Sequence, residues 1–127
     1  MGKTILVVDD DVGLIRMLEK GLENKGYNIL SANTAEGGLH IAETEPVDLI
    51  LLDVILPGIK GREACARLKA NERTKGIPVV FLTAKDSPDD IKAEMEAGAS
   101  AHITKPVDMN LLIPKIVEVL ENTDSLS

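Results

Sequence analysis

The chain has 127 residues, 44% hydrophobic and 28% charged, with 21 acidic against 14 basic residues and a formal net charge of −7. That length suits one domain burying roughly two-thirds of its unfolded surface, and the composition excludes a disordered chain. An acidic surface repels phosphate backbones, which argues against direct nucleic-acid binding. No apolar run approaches the ~18 residues of a membrane-spanning helix.

The N-terminus enters a strand at once, which leaves no room for a secretory leader. With Cys65 as the single cysteine, no internal disulfide is available, in keeping with a reducing cytoplasm. The first apolar run, Ile5-Leu6-Val7-Val8, ends in Asp9-Asp10, and Asp11 follows as a helix cap. A helix over about 12–25 buries Ile15, Leu18 and Leu22 at i, i+3 and i+7, and Gly26 stops it. A strand is predicted over about 27–32, then a helix over about 34–45 ending at Pro46. The third strand, 47–53, is too continuously apolar to have a wet face and belongs in the centre of a sheet. Pro57-Gly58 breaks the chain before a helix over about 61–71 that turns Cys65 and Leu68 inward. Val79-Val80-Phe81-Leu82 forms the fourth strand and ends in Thr83. A short, acidic helix over about 88–97 shows Ile91 and Met95 on its apolar face. Gly98 ends it, and the fifth strand, Ala101-His102-Ile103-Thr104, runs into Lys105. A last helix over about 108–121 buries Ile113, Ile116 and Leu120, with Pro114 expected to kink or disturb its first turn. Residues 122–127 read as a polar, frayed tail, so the domain is taken as 1–121. Strands alternating with helices predict an α/β fold around a doubly wound parallel sheet.

In such a sheet ligands bind beyond the carboxyl ends of the strands. Four strands therefore deliver Asp9, Asp10, Asp53, Thr83 and Lys105 to one edge. Two carboxylates ~4 Å apart repel by about 4 kcal/mol at an effective dielectric of 20, so this grouping needs compensation. A divalent cation supplies it, and an all-oxygen ligand set selects a hard ion such as Mg²⁺. With the ion in place Asp53 can act as a nucleophile toward phosphorus, Lys105 contributes a point charge and Thr83 a hydrogen bond. Each feature alone is ordinary turn or cap chemistry; the four placements together are what point to phosphoryl handling.

The motifs ILVVDD (5–10), DLILLDVILPGIKG (48–61), VVFLTA (79–84) and ITKP (103–106) resemble those of a two-component response-regulator receiver domain, and the resemblance covers residues 1–121. It implies a flavodoxin-like fold of five parallel strands, order 2-1-3-4-5, with five helices. It further implies phosphotransfer from the phosphohistidine of a sensor histidine kinase, or from a phosphotransfer protein, to Asp53. Asp9, Asp10, Asp53 and the backbone carbonyl of Ile55 would hold Mg²⁺, Thr83 and Lys105 would contact the phosphoryl group, and Lys105-Pro106 would be a cis peptide. A homodimer is compatible with the family, and no external substrate is expected to be turned over.

The departures from the pattern lie at two places. His102 stands where the family usually has Tyr or Phe, which makes Thr83 and His102 the expected switch pair and predicts pH sensitivity of the switch. Lys60 stands where an acidic residue is frequent. Ile55 and Lys85 should border the approach of hydrolytic water and, offering it no acceptor, predict a long-lived phosphoryl group. His40 reads as solvated surface. A flavin carrier would need a phosphate loop where Asp9-Asp10-Asp11 stands, and a phosphatase of the haloacid-dehalogenase type would need an Asp where Ile55 stands. A degenerate receiver serving as a non-phosphorylated binding module is the remaining alternative.

Overall fold

The structure, a computed structural model, describes residues 2–84 and 86–126. Its elements are β1 (Thr4–Val8), α1 (Val12–Glu23), β2 (Asn28–Ala32), α2 (Ala35–Thr44), β3 (Leu49–Asp53), α3 (Gly61–Ala70), β4 (Val79–Thr83), α4 (Pro88–Glu96), β5 (Ala101–Thr104) and α5 (Met109–Leu126). The strands form one parallel sheet in the order β2-β1-β3-β4-β5, the flavodoxin-like arrangement predicted from the sequence.

Successive strand residues face opposite sides, so each strand feeds two cores. Ile5, Val7, Leu49, Leu51, Val80 and Leu82 pack with Ile15, Leu18 and Leu22 of α1 and with Leu112, Ile116 and Leu120 of α5. Leu6, Val8, Ile50, Leu52, Val79 and Phe81 pack with Ala35 and Ala42 of α2 and with Ala64, Cys65 and Leu68 of α3. All five residues of β3 are buried, as its unbroken apolar run requires in a strand covered on both faces. Among the described residues, no helix is long and apolar enough to cross a membrane.

Three readings change. β3 begins at Leu49, not 47, because Asp48 is used to clamp β1: its amide donates to the Thr4 carbonyl (2.8 Å) and its carboxylate accepts from the Thr4 amide (2.8 Å). α5 continues past residue 121 to Leu126. No Gly or Pro follows Pro114 to stop it, and the Thr123 hydroxyl donates to the Val119 carbonyl at 2.9 Å, extending the i−4 pattern through polar sequence. Pro114 is accommodated inside α5, after a first turn in which Leu111 and Leu112 both donate to the Asp108 carbonyl. In α4 the buried residue is Glu94, while Met95, expected to face inward, is 40% exposed.

The loop after β3 folds back on the strand it leaves. The Gly61 amide donates to the Val54 carbonyl at 2.9 Å. A Cβ at Gly61 would overlap the Asp53 carbonyl oxygen and come within 2.7 Å of Val54 Cα, both backbone atoms that cannot move aside alone. Gly61→Ala is therefore expected to destabilise the protein by about 1–3 kcal/mol, the usual range for overpacking. A urea titration with unchanged midpoint would show that the β3–α3 loop has more slack than this contact implies.

Candidate functional site

The parallel sheet brings the predicted residues to its carboxyl edge. Val8 pairs with Leu52 and Asp53 with Leu82, so Asp9, one residue past β1, stands beside Asp53 at the end of the central strand. Thr83 ends β4 opposite Thr104, and the Lys105 amide donates to the Thr83 carbonyl at 2.8 Å, which carries the lysine around the same edge. Lys105-Pro106 is a cis peptide.

Asp9 is fully buried. Its Oδ1 accepts from the Asp11 amide at 2.9 Å, and its Oδ2 accepts from Lys105 Nζ at 2.8 Å. The same ammonium lies 3.4 Å from Asp53 Oδ2. Asp53 Oδ1 accepts from the Ile55 amide at 3.1 Å, which fixes the plane of the carboxylate. Asp11 caps α1, accepting from the Leu14 amide at 3.1 Å, the role its position predicted. Asp10 is exposed, Thr83 is buried, and the Ile55 side chain is 49% exposed beside the site.

The electrostatics follow from this crowding. Burial is the largest influence on Asp53 and raises its pKa; the Ile55 amide pulls it down, the charge of Asp9 adds to the rise, and Lys105 offsets part of it. For Lys105 burial alone would lower the pKa, but the hydrogen bond to Asp9 and the charges of Asp53 and Asp9 outweigh it, so the net shift is upward. Lys105 is therefore a fixed cation.

Asp9, Asp10 and Asp53 each offer a carboxylate oxygen within 4.8 Å of the others. Three carboxylates against one ammonium leave an excess of negative charge, and the donors are all oxygen. That set fits a hard divalent cation.

Beside this cluster lies a pair that hydropathy reading missed. Glu94 of α4 is 1% exposed, and its Oε1 is 2.6 Å from His102 Nδ1. The His102 side chain is 10% exposed, and its Nε2 makes a long contact of 3.4 Å with the Thr104 hydroxyl. Glu94 Oε2 has no hydrogen-bond partner among the described residues. The available signal was positional: Glu94 falls three residues after Ile91 on the face turned to the sheet. His40 is exposed, as predicted. Lys85 lies outside the described residues.

The family model for the response regulator receiver domain matches residues 5–117. The phosphate regulon transcriptional regulatory protein PhoB of Pseudomonas aeruginosa is 43% identical over 124 residues, covering 97% of this chain and 54% of that protein. Protein PilH of the same organism is 35% identical over 116 residues, covering 91% of this chain and 96% of PilH. A crystal structure of a CheY-like response regulator receiver domain protein from Methanospirillum hungatei superposes with a TM-score of 0.93 at 32% identity, over the full length of both chains. The chain spans about half the length of PhoB and of two other curated relatives it matches.

The raised pKa of Asp53 has a thermodynamic sign. A carboxyl group whose folded pKa exceeds its unfolded value favours the folded state while protonated, and that contribution is lost as pH rises through the folded pKa. In metal-free buffer Asp53→Asn should therefore melt higher than the parent at neutral pH, by on the order of 3 °C per kcal/mol relieved. The difference should shrink as pH falls and Asp53 takes up its proton. Paired melting curves across that range check it, and a variant melting lower at neutral pH would mean that Lys105 more than compensates the burial.

Proposed function

The chain belongs to the response regulator receiver domain family, and from that premise we propose that it is a Mg²⁺-dependent phosphoacceptor working in the cytoplasm. Asp53 takes a phosphoryl group from the phosphohistidine of a sensor histidine kinase or a phosphotransfer protein. The conformation then changes at Thr83 and His102 and is read by a downstream effector. The observation that carries this reading is the placement of Lys105 Nζ, 2.8 Å from Asp9 and 3.4 Å from Asp53, which puts a fixed positive charge beside the acceptor oxygen.

One carboxylate oxygen of Asp53 attacks phosphorus as the bond from phosphorus to the donor imidazole nitrogen breaks. The bonding pair stays on that nitrogen, and the product on this chain is an acyl phosphate. The Ile55 amide holds Asp53 Oδ1, which leaves Oδ2 as the nucleophile. Lys105 then exchanges its contact with Asp53 for a phosphoryl oxygen, and the Thr83 hydroxyl donates to another. Asp9, Asp10, Asp53 and the backbone carbonyl of Ile55 would hold Mg²⁺, which supplies charge neutralisation for the crowded carboxylates and the transferring oxygens. The chain modifies itself and turns over no separate substrate.

Incubation with acetyl phosphate and Mg²⁺ should add one phosphoryl group by intact mass, and the addition should vanish in Asp53→Asn and with EDTA. Full labelling of Asp53→Asn would move the acceptor elsewhere. A parent protein that binds Mg²⁺ but never labels would favour a non-phosphorylated binding module.

Replacing Ile55 with Asn and Lys85 with Glu should give in-line water a hydrogen-bonding partner and shorten the phosphoryl lifetime several-fold. Decay measured by loss of the phosphorylated mass decides it; an unchanged or slower rate would show that these two side chains do not govern water access.

A further inference from the structure

α4 is seated on the sheet in an unusual way. The one fully buried side chain among its nine residues is a carboxylate, Glu94, at 1% exposure. Ile91 is half-buried and Met95 is 40% exposed. The ends of the helix have their own ties: Ser87 caps the start, accepting from the Asp90 amide at 3.2 Å. Past the other end, the Ala97 carbonyl accepts from Cys65 Sγ at 3.4 Å. The body of the helix rests on the contact between Glu94 Oε1 and His102 Nδ1. Beside that contact Glu94 Oε2 is buried without a partner among the described residues. Replacing a buried ion pair by apolar groups of like volume commonly leaves a protein as stable or more so, whereas an unpartnered buried oxygen is a liability.

We propose that Glu94 is a positioning residue that holds His102 with Nδ1 protonated and pointing under α4, forming a releasable seat for that helix. His102 lies on the same sheet face as Phe81, its register partner on β4, and as Thr104, the partner of Thr83. A ring bound through Nδ1–H presents Nε2 toward the Thr104 hydroxyl, 3.4 Å away. The run Glu94, His102, Thr104 thus connects the underside of α4 to the strand position opposite Thr83. When His102 leaves Glu94, the carboxylate has lost its one contact and α4 has lost its buried tie, so ring movement and helix undocking are one event. The link from that event to Asp53 rests on the receiver reading; the seat itself does not.

Two arms of the test need no phosphorylation. Imidazole ¹⁵N spectra of the full chain should show His102 Nδ1 protonated in the parent and in Glu94→Gln, whose amide oxygen still accepts. In Glu94→Leu the Nδ1 proton should be lost in favour of Nε2. Hydrogen exchange of α4 amides should be slower in the doubly apolar Glu94→Leu/His102→Phe protein by about fivefold or more, since both polar groups and their desolvation are gone. A third arm adds Mg²⁺ and beryllofluoride. His102 ring signals should move and α4 exchange should quicken in the parent, while α4 of the doubly apolar protein stays protected in the presence of the same Mg²⁺ and beryllofluoride. A parent ring with Nε2 protonated and Nδ1 bare overturns the proposal. Equal α4 exchange in parent and doubly apolar protein overturns it also. Absence of acetyl phosphate labelling in the parent strikes the receiver reading instead, and the first two arms then still decide the seat.

Discussion

The ammonium of Lys105, held between Asp9 and Asp53, is the contact on which the site depends. It ties the turn after β5 to the ends of β1 and β3. Neither carboxylate could be buried there alone. Asp9 is fully buried, and removing its cation would leave an uncompensated charge in the interior, a loss of about 3–5 kcal/mol for a buried pair broken on one side.

The compensation is incomplete, and the incompleteness is informative. Lys105 does not cancel the effect of burial and of Asp9 on Asp53, whose pKa stays raised, and Asp10 adds a third carboxylate within ligand distance. A site built only for stability would pair its charges. This one carries surplus negative charge at a strand edge, the remainder that a divalent cation and a phosphoryl group would supply on the proposed reading. Burial of Asp53 therefore works against stability, and the Gly61 backbone packed against the Asp53 carbonyl leaves that residue little room to move.

The strand ends were legible in the sequence because a parallel sheet turns position along the chain into position in space. Each apolar run has its polar terminus at the same edge, so Asp9, Asp53, Thr83 and Lys105 could be grouped without knowing any distance. The inward stripe of α1 was legible for a similar reason, since Ile15, Leu18 and Leu22 recur at i, i+3 and i+7 on one face. The rotation of α4 was not. Residues 94 and 95 differ by about 100° around a helix axis, and hydropathy favours Met95. What turns Glu94 inward is His102, eight residues on and across a turn, and a local pattern cannot see a partner on another element. The end of α5 failed differently: polar residues 122–126 read as tail, yet nothing in them breaks a helix already propagating.

Two buried polar clusters thus flank the end of β4, and they differ in kind. Both carboxylate oxygens of the buried Asp9 have a donor, Oδ1 from the Asp11 amide and Oδ2 from Lys105. Around Glu94 one oxygen is served and the other has no partner among the described residues, an omission worth about 1–3 kcal/mol against the docked state. Because total folding free energies are only about 5–15 kcal/mol, a liability of that size, placed under a single helix, sets that helix apart from the rest of the fold. α1 and α5 bury apolar stripes that have no alternative partner in water, and α4 buries a group that water would solvate well. Any event at the strand edge that competes for His102 therefore acts on a helix whose buried side chain is polar, and the register pair Thr83–Thr104 connects His102's strand to the strand beside Asp53.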